Sequence, residues 1–163
     1  MGSRKLTLAL ACIICLLLAY VSFKIASTQP LQIVPNPALV EVAENVMCGP
    51  AALQTVCRNL GLDLPVETIA KLAGITDSGT TMYGLAEAAR QLKLNAVGRK
   101  LTLADLEARR KPLIAYLKPN HFIAVTSMNN KEVSFSDQSG NNLKMALGDF
   151  LKRWDGSVLI VTR

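Results

Sequence analysis

Leu6 to Phe23 is a run of 18 residues with no charge and no proline. A stretch of that length crosses the hydrocarbon core of a bilayer with slight help from its flanks. It divides the chain into an apolar start and a remainder that must fold in water. Arg4 and Lys5 precede the run and Lys24 follows it. The heavier positive charge in front predicts a cytoplasmic amino terminus and a domain on the extracytoplasmic side of a single-pass membrane protein. We read residues 1–28 as a transmembrane signal anchor. A cleaved signal peptide is the rival reading, but its apolar stretch usually runs ~7–15 residues and ends in a small-residue cleavage site. Ala26-Ser27 fits that poorly. Ala9-Leu10-Ala11 ahead of Cys12 suggests lipidation, yet most of the apolar run lies beyond Cys12. Residues 29–39 read as a linker, because Pro30, Pro35 and Pro37 break any helix.

Residues 40–163 then form one domain, large enough for a core of its own. The net charge of +6 does not mark a nucleic-acid binder. The last 133 residues hold 15 Lys or Arg against 12 Asp or Glu, scattered except for Arg109-Arg110-Lys111. Nucleic-acid recognition calls for a basic face with stacking aromatics. His121 is the single histidine, so catalytic zinc sites lose their usual ligands, and no metal or cofactor is expected.

Of the four cysteines, Cys12 and Cys15 lie in the apolar run. Cys48 and Cys57 are nine residues apart on one expected helix. That spacing puts them on opposite faces, so they do not bridge. Free thiols in an exported domain are unusual. Either both are small buried hydrophobes, or at least one is a nucleophile.

The first half of the domain reads as helices. Ala52, Leu53, Val56, Cys57 and Leu60 make a helical stripe over 49–60, closed by Gly61. Further helices are expected over 64–72, 81–92 and 102–109, the last with Thr102 and Asp105 as a capping box. The second half reads as strands over 112–117, 121–127, 132–137 and 157–162, with a helix at 147–154 and an edge strand at 95–100. Pro119-Asn120 and Asn129-Asn130 mark the turns. Helices first and hairpin strands second predict an α+β fold with an antiparallel sheet.

Cys48-Gly49-Pro50 opens the first helix. A Cys there meets unpaired N–H groups and the positive end of the dipole, which favour thiolate. Gly49 allows close approach of a substrate. The Cys48 backbone N–H can serve an oxyanion. His121 opens a strand and Asp137 ends the next, so antiparallel pairing returns Asp137 beside His121. A carboxylate there holds one ring nitrogen and aims the other at Cys48.

These features resemble the bacteriocin-processing, double-glycine leader cysteine peptidases, a papain-like family. The matching residues are Cys48-Gly49-Pro50-Ala51-Ala52-Leu53, Gly79-Thr80-Thr81, Gly84-Leu85, Ala88-Ala89, Pro112-Leu113-Ile114-Ala115, His121-Phe122-Ile123-Ala124-Val125, Asp137, Phe150 and Trp154-Asp155-Gly156. The resemblance implies Cys48 as nucleophile, His121 as base, Asp137 as orienter, and cleavage after Gly-Gly in leader peptides. It also implies a papain-like fold and a separate secretion apparatus as partner. Two positions depart from the family pattern. Val42 stands where the family places a Gln that completes the oxyanion hole, and Met47 stands where it places an Asp. Asn45 is the nearest neutral amide to take the Gln's part. The rival expectation is an inactive domain of the same fold that binds peptide without cutting it.

Overall fold

A computed structural model describes residues 46–163. The expected membrane segment, the linker, Val42 and Asn45 lie outside the described residues. Among the described residues no helix is long and apolar enough to cross a membrane.

Three helices come first: α1 (Cys48–Asn59), α2 (Val66–Leu72) and α3 (Met82–Gln91). The strand β1 (Asn95–Lys100) and the helix α4 (Leu103–Ala108) follow. The rest is a strand run, β2 (Leu113–Leu117), β3 (His121–Met128), β4 (Glu132–Asp137) and β5 (Gly140–Ala146), then α5 (Leu147–Arg153) and β6 (Trp154–Thr162). The six strands form one sheet in the order β1-β6-β2-β3-β4-β5. All of its pairings are antiparallel.

The local chemistry of several ends is as the sequence predicts. Gly61 takes a φ of +80 just past α1, which a side chain would oppose. The Thr81 hydroxyl accepts from the Gly84 N–H at the start of α3. Thr102 and Asp105 cap α4 reciprocally. Other ends differ. Cys48 is the first residue of α1 rather than the residue ahead of it. β6 begins at Trp154, earlier than expected.

Strand alternation distributes the core over two faces. Ile114, Ala124 and Leu159 pack with Leu53, Val56, Cys57, Ile69 and Leu85 of α1–α3. Leu113, Ala115, Leu117, Ile123 and Val125 pack on the other face with Leu106 of α4 and Phe150 of α5. Helices therefore cover both faces of the central strands. This explains why Leu113-Ile114-Ala115 is buried without a polar interruption.

Candidate active site

The site sits where α1 begins against β3. Cys48 is 4% exposed. Its Sγ accepts from the Phe122 N–H at 3.4 Å, across 74 residues of sequence. Phe122 follows His121, so the same contact brings the first turn of β3 to the thiol. The β3–β4 register pairs Ala124 with Ser136 and leaves Asp137 one step further, level with the start of β3. There His121 Nε2–H donates to Asp137 Oδ2 at 2.9 Å. The pair is largely buried, with 16% of the His121 side chain and 6% of the Asp137 side chain exposed. The fold thus pairs His121 with Asp137 and sets Cys48 against Phe122, the residue that follows His121.

The second oxygen of Asp137 is also held. The Ser139 N–H and hydroxyl donate to Oδ1 at 2.9 and 2.6 Å. This is an Asx-type turn, and the Asp-Gln-Ser-Gly string was its signal. The sequence pattern alone gives no reason to assign Ser139 to the site. Tyr116 and Asn120 were likewise not anticipated. The Tyr116 hydroxyl donates to Asn120 Oδ1 at 3.0 Å, and the Tyr116 ring lies 5.3 Å from that of Phe122.

A cleft of about 450 Å³ opens beside the sulfur, lined by Cys48, Gly79, Thr80, Tyr116, Asn120 and Phe122 among others. Gly49 does not serve this opening. A Cβ on Gly49 would come within 2.7 Å of Thr80 Cγ2 and 3.3 Å of Leu85. The glycine lets the loop before α3 pack on α1, so its expected role in admitting substrate passes to packing.

The electrostatics of the thiol also differ from expectation. Burial raises the Cys48 pKa above its ordinary value, and the Asp137 charge adds to this. The backbone N–H groups of Phe122, Gly49 and Cys48 act the other way and are outweighed. A helix start supplies favourable dipoles but cannot replace the water that burial removes. Cys57 is fully buried in the core, and burial lifts its thiol to about 11. It matches the reading of a small buried hydrophobe. Both cysteines of the described region are free.

Residues 38–163 match the Peptidase C39 family. The chain belongs to that family. Its C39 domain has relatives of similar length in Methanothermobacter thermautotrophicus and Methanothermobacter marburgensis, 37% and 34% identical over 128 residues, covering 78% of this chain and 90% of each relative. Both relatives are described as uncharacterized. It is 29% identical over 122 residues to the pediocin PA-1 transport/processing ATP-binding protein PedD of Pediococcus acidilactici, covering 70% of this chain but 17% of PedD. Among solved structures, the peptidase domain of Streptococcus ComA, a bi-functional ABC transporter, aligns with a TM-score of 0.66 at 23% identity, covering 72% of this chain and 91% of that one. A double-glycine motif protease from an AMS/PCAT transporter, in complex with its leader peptide, aligns with a TM-score of 0.66 at 24% identity, over 71% and 83% of the two chains. The double-glycine peptidase family and the papain-like α+β fold expected from the sequence are therefore correct for the C39 domain.

Proposed function

We propose that the chain is a cysteine peptidase acting on leader-type peptides, with Cys48, His121 and Asp137 as its catalytic residues. The observation that carries the reading is the joint placement of Cys48 against the Phe122 N–H and of His121 against Asp137. With Nε2 donated to the carboxylate, Nδ1 of His121 is the nitrogen left to exchange a proton. It takes the thiol proton, and the sulfur attacks a peptide carbonyl in the cleft. The Cys48 N–H, in the first turn of α1, donates to the developing oxyanion. The C–N bond then breaks as His121 returns the proton to the leaving amine. Water, deprotonated by His121, releases the acyl group.

Cleavage after Gly-Gly is the specificity we assign, on the likeness to a double-glycine protease bound to its leader peptide. The partner we assign is a separate secretion apparatus, on the likeness to transport/processing proteins. Anchoring by Leu6–Phe23, with the domain on the extracytoplasmic side, rests on the sequence alone.

Burial makes the ion pair depend on His121. In wild type the imidazole that accepts the proton becomes an imidazolium that stabilises the thiolate, whereas His121→Ala leaves burial and the Asp137 charge, which raise the Cys48 thiol and outweigh the backbone N–H groups that lower it. Iodoacetamide alkylation, read at the Cys48 peptide by mass spectrometry, should therefore proceed rapidly below pH 7 in wild type. In His121→Ala the inflection should move above the ordinary thiol value of about 9. Identical profiles in both proteins, each with a high inflection, would remove His121 as the base.

A second reading, a peptide-binding domain without turnover, is favoured by the same burial and raised pKa of Cys48. It expects slow alkylation in both proteins and unchanged peptide binding in Cys48→Ala. Gly-Gly peptides decide between the two readings: Cys48-dependent cleavage supports the enzyme, and binding without cleavage supports the alternative.

A further inference from the structure

A smaller cavity of about 300 Å³ lies beside the cleft, lined by Pro119, Asn120, His121 and Arg153. Asn120 also lines the cleft that holds Cys48, so the two spaces meet at this residue. Its φ is +132, a backbone conformation L residues rarely adopt. Strain of this kind persists where the surroundings enforce it. Here the Tyr116 hydroxyl fixes the amide through Oδ1. The bond engages the amide oxygen, and among the described residues no acceptor takes the Nδ2–H.

Arg153 forms the other wall. Its Nε donates to the Lys118 carbonyl at 2.9 Å, and the Lys118 N–H donates back to the Arg153 carbonyl at 2.9 Å. The guanidinium is thereby tied to the turn that carries His121, and its terminal NH₂ groups keep their donors. The acids nearby are committed elsewhere. Asp149 pairs with Lys152, Asp155 with Lys100, and Asp137 with His121. Among the described residues none pairs with Arg153. The cavity thus offers an amide donor, a guanidinium and an imidazole, with no anion on its lining.

We propose that this cavity is the subsite for the segment on the amine side of the scissile bond, and that it favours a segment carrying a carboxylate. The inference rests on the peptidase reading. The leaving amine receives its proton from His121, so the departing segment must lie on the His121 side of the sulfur, and that side is this cavity. The carboxylate belongs to an Asp or Glu side chain close behind the cut or to a nearby carboxyl terminus. An exposed guanidinium–carboxylate contact is modest, so discrimination of about fivefold is expected.

The test uses the full chain in detergent and peptides identical except at the two residues after a Gly-Gly junction, which are Asp, Ala or Lys. A further pair ends two residues past the junction, with a free or an amidated terminus, and separates the two sources of carboxylate. Wild type should cut the Asp peptide about fivefold better than the Lys peptide, mainly through KM. Arg153→Lys should keep the preference, Arg153→Gln should flatten it, and Arg153→Glu should reverse it. Asn120→Gly keeps the unusual backbone and removes the amide, and should raise KM for the Asp peptide. Equal kcat/KM on Asp and Lys peptides in wild type, or an unchanged ratio in Arg153→Glu, overturns the subsite. If no peptide is cut in a Cys48-dependent way, the peptidase reading fails separately. Fluorescence anisotropy with the uncut peptides then decides the subsite. A tighter Kd for the Asp peptide that Arg153→Glu abolishes supports it, and equal Kd values overturn it.

Discussion

Both oxygens of Asp137 are occupied, one by His121 and the other twice by Ser139. A carboxylate held at one oxygen only can swing and take the imidazole with it. Ser139→Ala removes the hydroxyl bond and leaves the N–H bond in place. A hydrogen bond to a charged group is worth about 1.5–3 kcal/mol, less where water competes, as it does at this exposed turn. We expect kcat to fall about three- to tenfold with KM unchanged, since the orientation of the ring is lost and not the fit of the peptide. Steady-state kinetics on a cleaved Gly-Gly peptide checks this, and an equal fall in Ser139→Ala and Ser139→Thr would assign the effect to the turn instead. Cys48 shows the limit of reading a site from neighbours in sequence. The helix start was visible in Cys48-Gly49-Pro50, but the burial that opposes the thiolate comes from tertiary packing, which puts Cys48 in the core cluster with Leu53, Leu85, Phe122 and Ala124.

The contact between α1 and that loop is set by the missing side chain of Gly49. A methyl group there meets Thr80 Cγ2 at 2.7 Å and Leu85 at 3.3 Å, too close for either to stay in place. Gly49→Ala should destabilise the fold by about 1–3 kcal/mol, the usual range for overpacking. Thr80→Ser removes the closest methyl, so the double variant should recover part of the loss. Urea denaturation of the four proteins in the cycle measures this, and strict additivity would show that Thr80 is not the obstacle. Elements with a strong local signature were legible: the stripe of α1, the Thr102–Asp105 cap and the hairpin strands. β5 was not. Gly140-Asn141-Asn142 has low strand preference, and Asn142 takes a φ of +58. The segment becomes a strand because β4 is already in place, pairing Phe135 with Leu143 and Val133 with Met145. Those two apolar residues pack on the second core face, a tertiary reason absent from the local sequence. The pairing of His121 with Asp137 was legible for a simpler reason. The tight turns around β3 left few registers, and one of them returns Asp137 to His121.

On the scale of the whole domain, the sheet is completed by β1, the strand nearest in sequence to the helices, pairing with β6 at the end of the chain. One corner of that closure is ionic. Lys100 Nζ lies 2.9 Å from Asp155 Oδ2, and the Ser157 N–H donates to Asp155 Oδ1 at 2.9 Å. The Lys100 bond first, then the Ser157 bonds, lower the Asp155 pKa to about 2. The folded value is depressed, so the carboxylate contributes stability above its unfolded value of about 3.9 and loses it as pH falls towards 2. A quarter of the Asp155 side chain is exposed, and the contribution is discounted accordingly to about 1 kcal/mol or less. Asp155→Asn keeps the shape and an acceptor for Ser157 but does not titrate. Wild type should therefore exceed Asp155→Asn in urea midpoint at pH 6, with the two converging between pH 4 and pH 2. The comparison of the two proteins cancels the other carboxylates, including Asp105 and Asp149, whose pKa values are also lowered. A gap that stays constant down to pH 2 would mean that Asp155 acts through packing rather than charge, and that the β1–β6 corner closes without its ion pair.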